Sequence, residues 1–159
     1  MRPALFLALL AFTGCDFVPG DYGDYGEFEA TVEGALDLDI HGTAISLLRT
    51  DTEPAQFDLG LHRQGVNYGG FITFEVEGAE RAVGTYTIGP DDGQMRVTYD
   101  VDTRTEQEFV ATSGELVIRE IQEADLFGSF AFEAVDAAGA TIVVEGDYRA
   151  RRRAYPGSE

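Results

Sequence analysis

Residues 70–78 read GFITFEVEG. Between the two glycines, Ile72, Phe74 and Val76 share one face of an extended chain, while Phe71, Thr73 and Glu75 share the other. Successive side chains of a strand point to opposite sides, so this pattern marks a strand with one side in a core and one in water. The same period of two recurs in QMRVTYD (94–100), where Met95, Val97 and Tyr99 oppose Arg96, Thr98 and Asp100. EFEATVE (27–33), ALDLDI (35–40), TAISLLR (43–49), QFDLGLH (56–62) and VGTYTIG (83–89) continue it, as do GELVIREI (114–121), LFGSFAFEA (126–134) and ATIVVEGDY (140–148).

These segments make about nine or ten strands, separated by Gly, Asp and Pro turns. PDDG (90–93) is a natural tight turn, and VDAAGAT (135–141) suits a hairpin joining the last two long strands. One stretch, TRTEQEFVATSG (103–114), has a composition that fits a turn of helix between strands. A parallel sheet needs crossover helices, and the chain has no segments for them. The expected fold is therefore all-β, an antiparallel β-sandwich of about nine or ten strands. A closed lipocalin-like β-barrel has the same alternation and is the alternative. A membrane-spanning barrel is disfavoured, because such strands turn one apolar face to lipid and EFEATVE and ALDLDI are rich in carboxylates.

Upstream of the strands, Met1 and Arg2 precede a run of apolar residues from Ala4 to Phe12. A membrane span needs about 20 apolar residues, so this run has the length of a signal-peptide core instead. It leads into Phe12-Thr13-Gly14-Cys15, which resembles a bacterial lipobox, with Phe12 in place of the commoner Leu. The resemblance implies cleavage after Gly14 and lipidation of Cys15, the only cysteine. One acyl chain binds a membrane marginally, and two or more hold durably. DFVPGDYGDYGE (16–27) then reads as a tether of Gly, Pro and a repeated Asp-Tyr-Gly. The expected organisation is a signal peptide over 1–14, a lipidated cysteine and tether over 15–26, an all-β domain over 27–149 and a basic, polar tail over 150–159. Localisation follows: a lipid-anchored protein of the bacterial envelope, at the outer membrane, with its domain outside the cytoplasm.

The chain has 159 residues and a net charge of −18, with 29 acidic residues against 11 basic ones, all arginine. Such a charge repels nucleic acid, whose affinity comes largely from neutralised phosphates. It also suits solubility at high salt, so a salt-adapted, halophilic protein is expected. The exception is local: RARRR, Arg149 to Arg153, concentrates positive charge near the C-terminus.

The C-terminal half carries a second pattern. Ser113, Gly114, Leu116 and Ile118 are followed by Gly128, Phe130, Phe132 and Ala134, then by Gly139, Gly146 and Tyr148. With GTYTIG (84–89) upstream, residues 84–148 resemble small lipoproteins of uncharacterised function from Bacteroidota and related bacteria. The resemblance implies an all-β envelope lipoprotein and supplies no catalytic residues. Read from the residues alone, Phe130 and Phe132 fill a core, and Gly128 on the same face leaves room for a neighbouring aromatic.

Catalytic constellations are sparse. A nucleophile needs a base within hydrogen-bond reach and a third group to orient it. The histidines are His41 and His62, and Ser46, Ser113, Ser129 and Ser158 lie in no Gly-x-Ser-x-Gly elbow. His41 and His62 with Asp37 or Asp39 have no zinc spacing. Asp91 and Asp92 are weak calcium candidates, joined by Asp100 and Asp102 if the strand returns alongside. Paired carboxylates raise a hydrolase as a distant reading. No cofactor is expected. Tyr68 and Phe71 are the candidates for ligand binding, as an aromatic platform for a glycan or peptide. The leading function is a non-enzymatic, lipid-anchored envelope module with a binding or structural role and a membrane, protein or glycan partner. A small-ligand or lipid carrier is the alternative.

Overall fold

A computed structural model describes residues 25–50, 52–65, 70–78, 82–102 and 107–154. Among the described residues nine strands are formed: β1 (Gly26–Gly34), β2 (Leu38–Arg49), β3 (Gln56–Arg63), β4 (Phe71–Glu77), β5 (Gly84–Ile88), β6 (Arg96–Asp102), β7 (Gln107–Gln122), β8 (Asp125–Asp136) and β9 (Thr141–Ala154). They pair in the order β5-β7-β6-β4-β3-β2-β1-β9-β8, and β8 returns to pair with β7. The result is a closed eight-stranded barrel with β5 as an extra strand. The expected sandwich is thus corrected to its alternative, the closed barrel. The reason is the length of β7, which holds β8 on one edge from Phe109 to Gln122 and still has its other edge for β6 and β5. A sandwich would leave those edges open.

Three boundaries also differ from the sequence reading. ALDLDI and TAISLLR are one strand, β2, because Gly42 sits inside it rather than in a turn. A Cβ on Gly42 would lie 1.9 Å from the carbonyl oxygen of His62, so the glycine permits close approach of β3. Residues 107–114, expected as a helical turn, are the first half of β7, with Phe109 and Ala111 turned inward. Bulges between Ala111 and Ser113 and between Ile118 and Glu120 bend this long strand around the wall. Residues 150–154, expected as the start of a tail, end β9. There Ala150 is buried, Arg149 pairs with Glu27 at 3.7 Å and Arg151 with Asp125 at 3.3 Å. Beyond the start of β1, β2 and β9 meet directly in parallel, from Ile45 opposite Arg151 to Leu48 opposite Ala154.

The hairpin between β8 and β9 forms as its sequence predicts. Asp136 Oδ1 accepts the N–H groups of Ala138 (2.9 Å) and Ala140 (2.8 Å), and Gly139 takes a φ of +85°. The barrel interior is built from the faces that alternation picked out, including Ile72, Phe74, Val76, Met95, Val97, Tyr99, Phe130 and Phe132. Phe74 reaches across the barrel: its ring centroid is 5.3 Å from that of Phe130 and 6.0 Å from that of Phe132, both edge-on. Phe130 in turn stacks at 6.4 Å with Tyr148, whose ring lies over Gly128.

Candidate functional site

Among the described residues, the wall of the barrel opens at a seam. β5 and β6 run in the same direction along one edge of β7, β5 opposite Gly114–Ile118 and β6 opposite Gln107–Val110. Between them the chain leaves the wall in a turn, closed by the N–H of Gln94 on the carbonyl of Asp91 (3.1 Å). It rejoins at Met95, whose N–H donates to the carbonyl of Thr87 at 3.1 Å. On its outer side β4 pairs with β6 only as far as Glu75 opposite Arg96, so the last residues of β4 and the free edge of β5 do not pair. A cavity of about 320 Å³ fills the seam, lined by Val76, Thr85, Tyr86, Thr87, Asp92, Gly93, Gln94 and Met95. Its size is at the lower end for small-molecule sites. The floor is apolar, from Val76 and Met95, and the rim offers hydroxyl, amide and carboxylate groups.

A second open cavity of about 520 Å³ lies on the outside of β1, β9, β8 and β7. It is crossed by Arg119, which donates to the Asp147 carboxylate and to the carbonyl of Gly128 at 3.0 Å. With its one arginine already engaged and its rim polar, it offers a ligand less than the seam does.

The sequence-predicted residues are dispersed by the fold. Gly14, Cys15 and Tyr68 lie outside the described residues. Phe71 is at the start of β4, 42% exposed, and stacks on His62 with a centroid separation of 4.4 Å and an interplanar angle of 10°. His62 is therefore engaged with a ring. Asp91 and Asp92 occupy the exposed seam turn, where Asp91 Oδ2 accepts the side-chain N–H of Gln94 at 3.4 Å. Asp100 and Asp102 do not return to them, because β6 carries both onward; at about 3.3 Å per residue Asp100 is roughly 16 Å beyond Met95. Among the described residues, no group of three or more His, Cys, Asp or Glu is placed to hold a metal ion. Sequence reasoning missed the seam residues Val76, Thr85, Thr87 and Gln94. The one signal for them was the short, Thr-rich VGTYTIG running into Gly-Pro.

Two tyrosines are locked into the wall. Burial pushes the Tyr148 phenol far above its ordinary range, with the nearby Arg119 opposing weakly; its hydroxyl donates to the carbonyl of Val117 at 3.3 Å. Burial also raises Tyr99, against the pull of Arg63. A phenol whose folded pKa is raised contributes stability that is complete below the unfolded value, about 10, and is lost as pH rises toward the folded one. Absorbance at 295 nm during alkaline titration should therefore show at least two of the seven tyrosines resisting ionisation until the near-ultraviolet circular dichroism collapses. Seven tyrosines ionising together near pH 10, with that signal intact, would contradict the burial.

Comparison with protein families adds one finding. Residues 46–147, well over half of the chain, match the model of a family described as Domain of unknown function (DUF6252). The chain belongs to that family. The DUF6252 match begins inside β2 and ends inside β9, so it takes in the whole seam and the His62–Phe71 stack, while β1 precedes it. No curated protein and no solved structure matches the chain.

Proposed function

We propose that this DUF6252 protein is a non-enzymatic barrel, held to the outer membrane of a bacterial envelope by acyl chains on Cys15, that carries a small ligand or lipid. The observation that carries the binding part is the closure of the barrel. A closed wall leaves few edges for assembly, so ligands are taken at its ends or where the wall opens, and the seam between β4 and β5 is such an opening. The aromatic contacts of Phe74, Phe130 and Phe132 occupy the middle of the barrel, which favours the seam over a central cavity. The anchor part rests on the Phe12–Cys15 sequence alone. Chain direction adds a consequence. The tether leads into β1 at Gly26, so the end of the barrel holding the start of β1 and the end of β9 faces the membrane, and β3 and β6 run away from it.

The test is intact and native mass spectrometry of the full chain, expressed in a host that processes lipoproteins and extracted from its membranes. The expected product starts at Cys15 and carries diacylglycerol with or without a third acyl chain, and Cys15→Ser lacks these masses. A further non-covalent adduct is expected and should be lost in Thr87→Trp, which places a large ring in the seam from an exposed position. An unmodified chain sinks the anchor. An adduct absent from the native protein, or unchanged in Thr87→Trp, sinks the seam as the ligand site.

A further inference from the structure

The register of five strands places a single row of outward side chains along the barrel wall. Thr43 is opposite His62, His62 opposite Phe71, Phe71 opposite Asp100, and Asp100 opposite Glu108. Directly opposed residues on neighbouring strands have their Cβ atoms about 4.5–5.5 Å apart. The His62–Phe71 ring stack is therefore followed, one and two strands on, by two carboxylates. The next row toward the tether is uncharged: Ile45, Gly60, Thr73, Thr98 and Val110 are paired in sequence across the same strands. Val110 is 48% exposed, and a Cβ on Gly60 would meet nothing closer than 4.0 Å, so the surface beside the rings is open. In a chain with 25% charged residues, this uncharged shelf bounded by an exposed aromatic stack stands out from the rest of the wall.

We infer that this face is a docking surface for a basic segment of a partner protein, with Phe71 receiving a guanidinium or ammonium group that Asp100 and Glu108 neutralise. Charge complementarity selects the occupant. A ring face attracts a cation through its quadrupole, two carboxylates follow it in the row, and the net charge of −18 steers cations toward the protein. A neutral glycan would use the rings and threonines but would leave the two carboxylates without their natural counter-charge. The inference deepens the binding reading above by naming a partner class, and it places that partner on the outer wall, away from the seam ligand.

The experiment is a fluorescence-anisotropy titration of the detergent-extracted full chain with a labelled Arg-Leu-Arg-Leu-Arg peptide, repeated on the Cys15→Ser chain and on Thr87→Trp. Saturable binding that weakens with added salt is expected. Phe71→Ala and Asp100→Asn should each weaken it by about fivefold, the size of an exposed cation–π contact or ion pair. Glu145→Gln removes the same charge from exposed β9, on the opposite wall, and should leave binding within about twofold. Equal losses in Asp100→Asn and Glu145→Gln, or no effect of Phe71→Ala, would reduce the interaction to general charge attraction and overturn the proposal. So would an absence of saturable binding, or competition by a neutral oligosaccharide that is insensitive to salt. Because Cys15→Ser and Thr87→Trp should bind the peptide as the parent does, failure of the anchor or of the seam is read separately from failure of this surface.

Discussion

Phe74→Ala is expected to destabilise the barrel by about 3–5 kcal/mol, the range for removing a buried phenylalanine ring. Three features put it in the upper part of that range. The side chain is 0% exposed, so the whole ring leaves a cavity and no water takes its place. It contacts rings on β8 from β4, with β6 and β7 lying between them around the wall, so the contact spans the barrel rather than two hydrogen-bonded neighbours. The surrounding strands are tied in a closed sheet and cannot collapse into the space. Urea unfolding followed by circular dichroism should show a lower midpoint with an unchanged slope. Phe71→Ala, three residues earlier and on the outer face, should shift the midpoint little, because its ring is already exposed to water on one side. A destabilisation below about 1.5 kcal/mol for Phe74→Ala would mean that the core tolerates the gap by rearranging, and that the ring contacts across the barrel are not what fixes its width.

The contrast between Phe71 and Phe74 was legible in the sequence, since alternation assigns each to its face before any pairing is known. The same reading placed Met95, Val97 and Tyr99 inside, and placed a neighbouring aromatic over Gly128, which Tyr148 supplies. Closure was not legible. A strand that lines a barrel and one that lines a sandwich share the same period, and the deciding contacts join Phe109–Gln122 to Asp125–Asp136 on one edge while the other edge serves two further strands. Local composition misled in three places for different reasons. Gly42 reads as a turn but serves a close approach of two backbones. TRTEQEFVATSG is polar enough to mask the inward alternation of Phe109 and Ala111. RARRR reads as a solvated run, yet Ala150 is buried and β9 continues through it.

The same limit separates Phe71 from the residues around it. An aromatic at an outward position is visible in one strand, so Phe71 was found from GFITFEVEG alone. His62, Asp100 and Glu108 join it only through the registers of β3, β6 and β7, which no local pattern encodes. The seam is harder still. It exists because β5 and β6 share one edge of β7 instead of pairing with each other as the PDDG turn suggests for two successive strands. A turn motif fixes the local bend and is silent on which partner each flanking strand will take.

Gly128→Val should cost roughly 3 kcal/mol or more, at or beyond the usual range for overpacking, and leave little folded protein at moderate urea. Gly128 faces inward on β8, where a Cβ would stand 1.9 Å from the carbonyl oxygen of Val117 and 2.5 Å from the Tyr148 hydroxyl. The two obstacles differ in kind, and this makes the prediction discriminating. The Tyr148 ring is a side chain and can be removed, but the Val117 carbonyl belongs to the wall of β7 and moves only if the pairing of β7 with β8 is disturbed. Tyr148→Ala should therefore fail to rescue Gly128→Ala, and the double variant should be less stable than Tyr148→Ala alone by at least about 1 kcal/mol. Tyr148→Phe, which keeps the ring and loses the hydrogen bond to Val117, should cost only about 1 kcal/mol. Full recovery of Gly128→Ala on truncating Tyr148 would show that the glycine serves the ring alone. Persistence of the defect would show that it is needed where two strands of the closed wall come too close for any side chain.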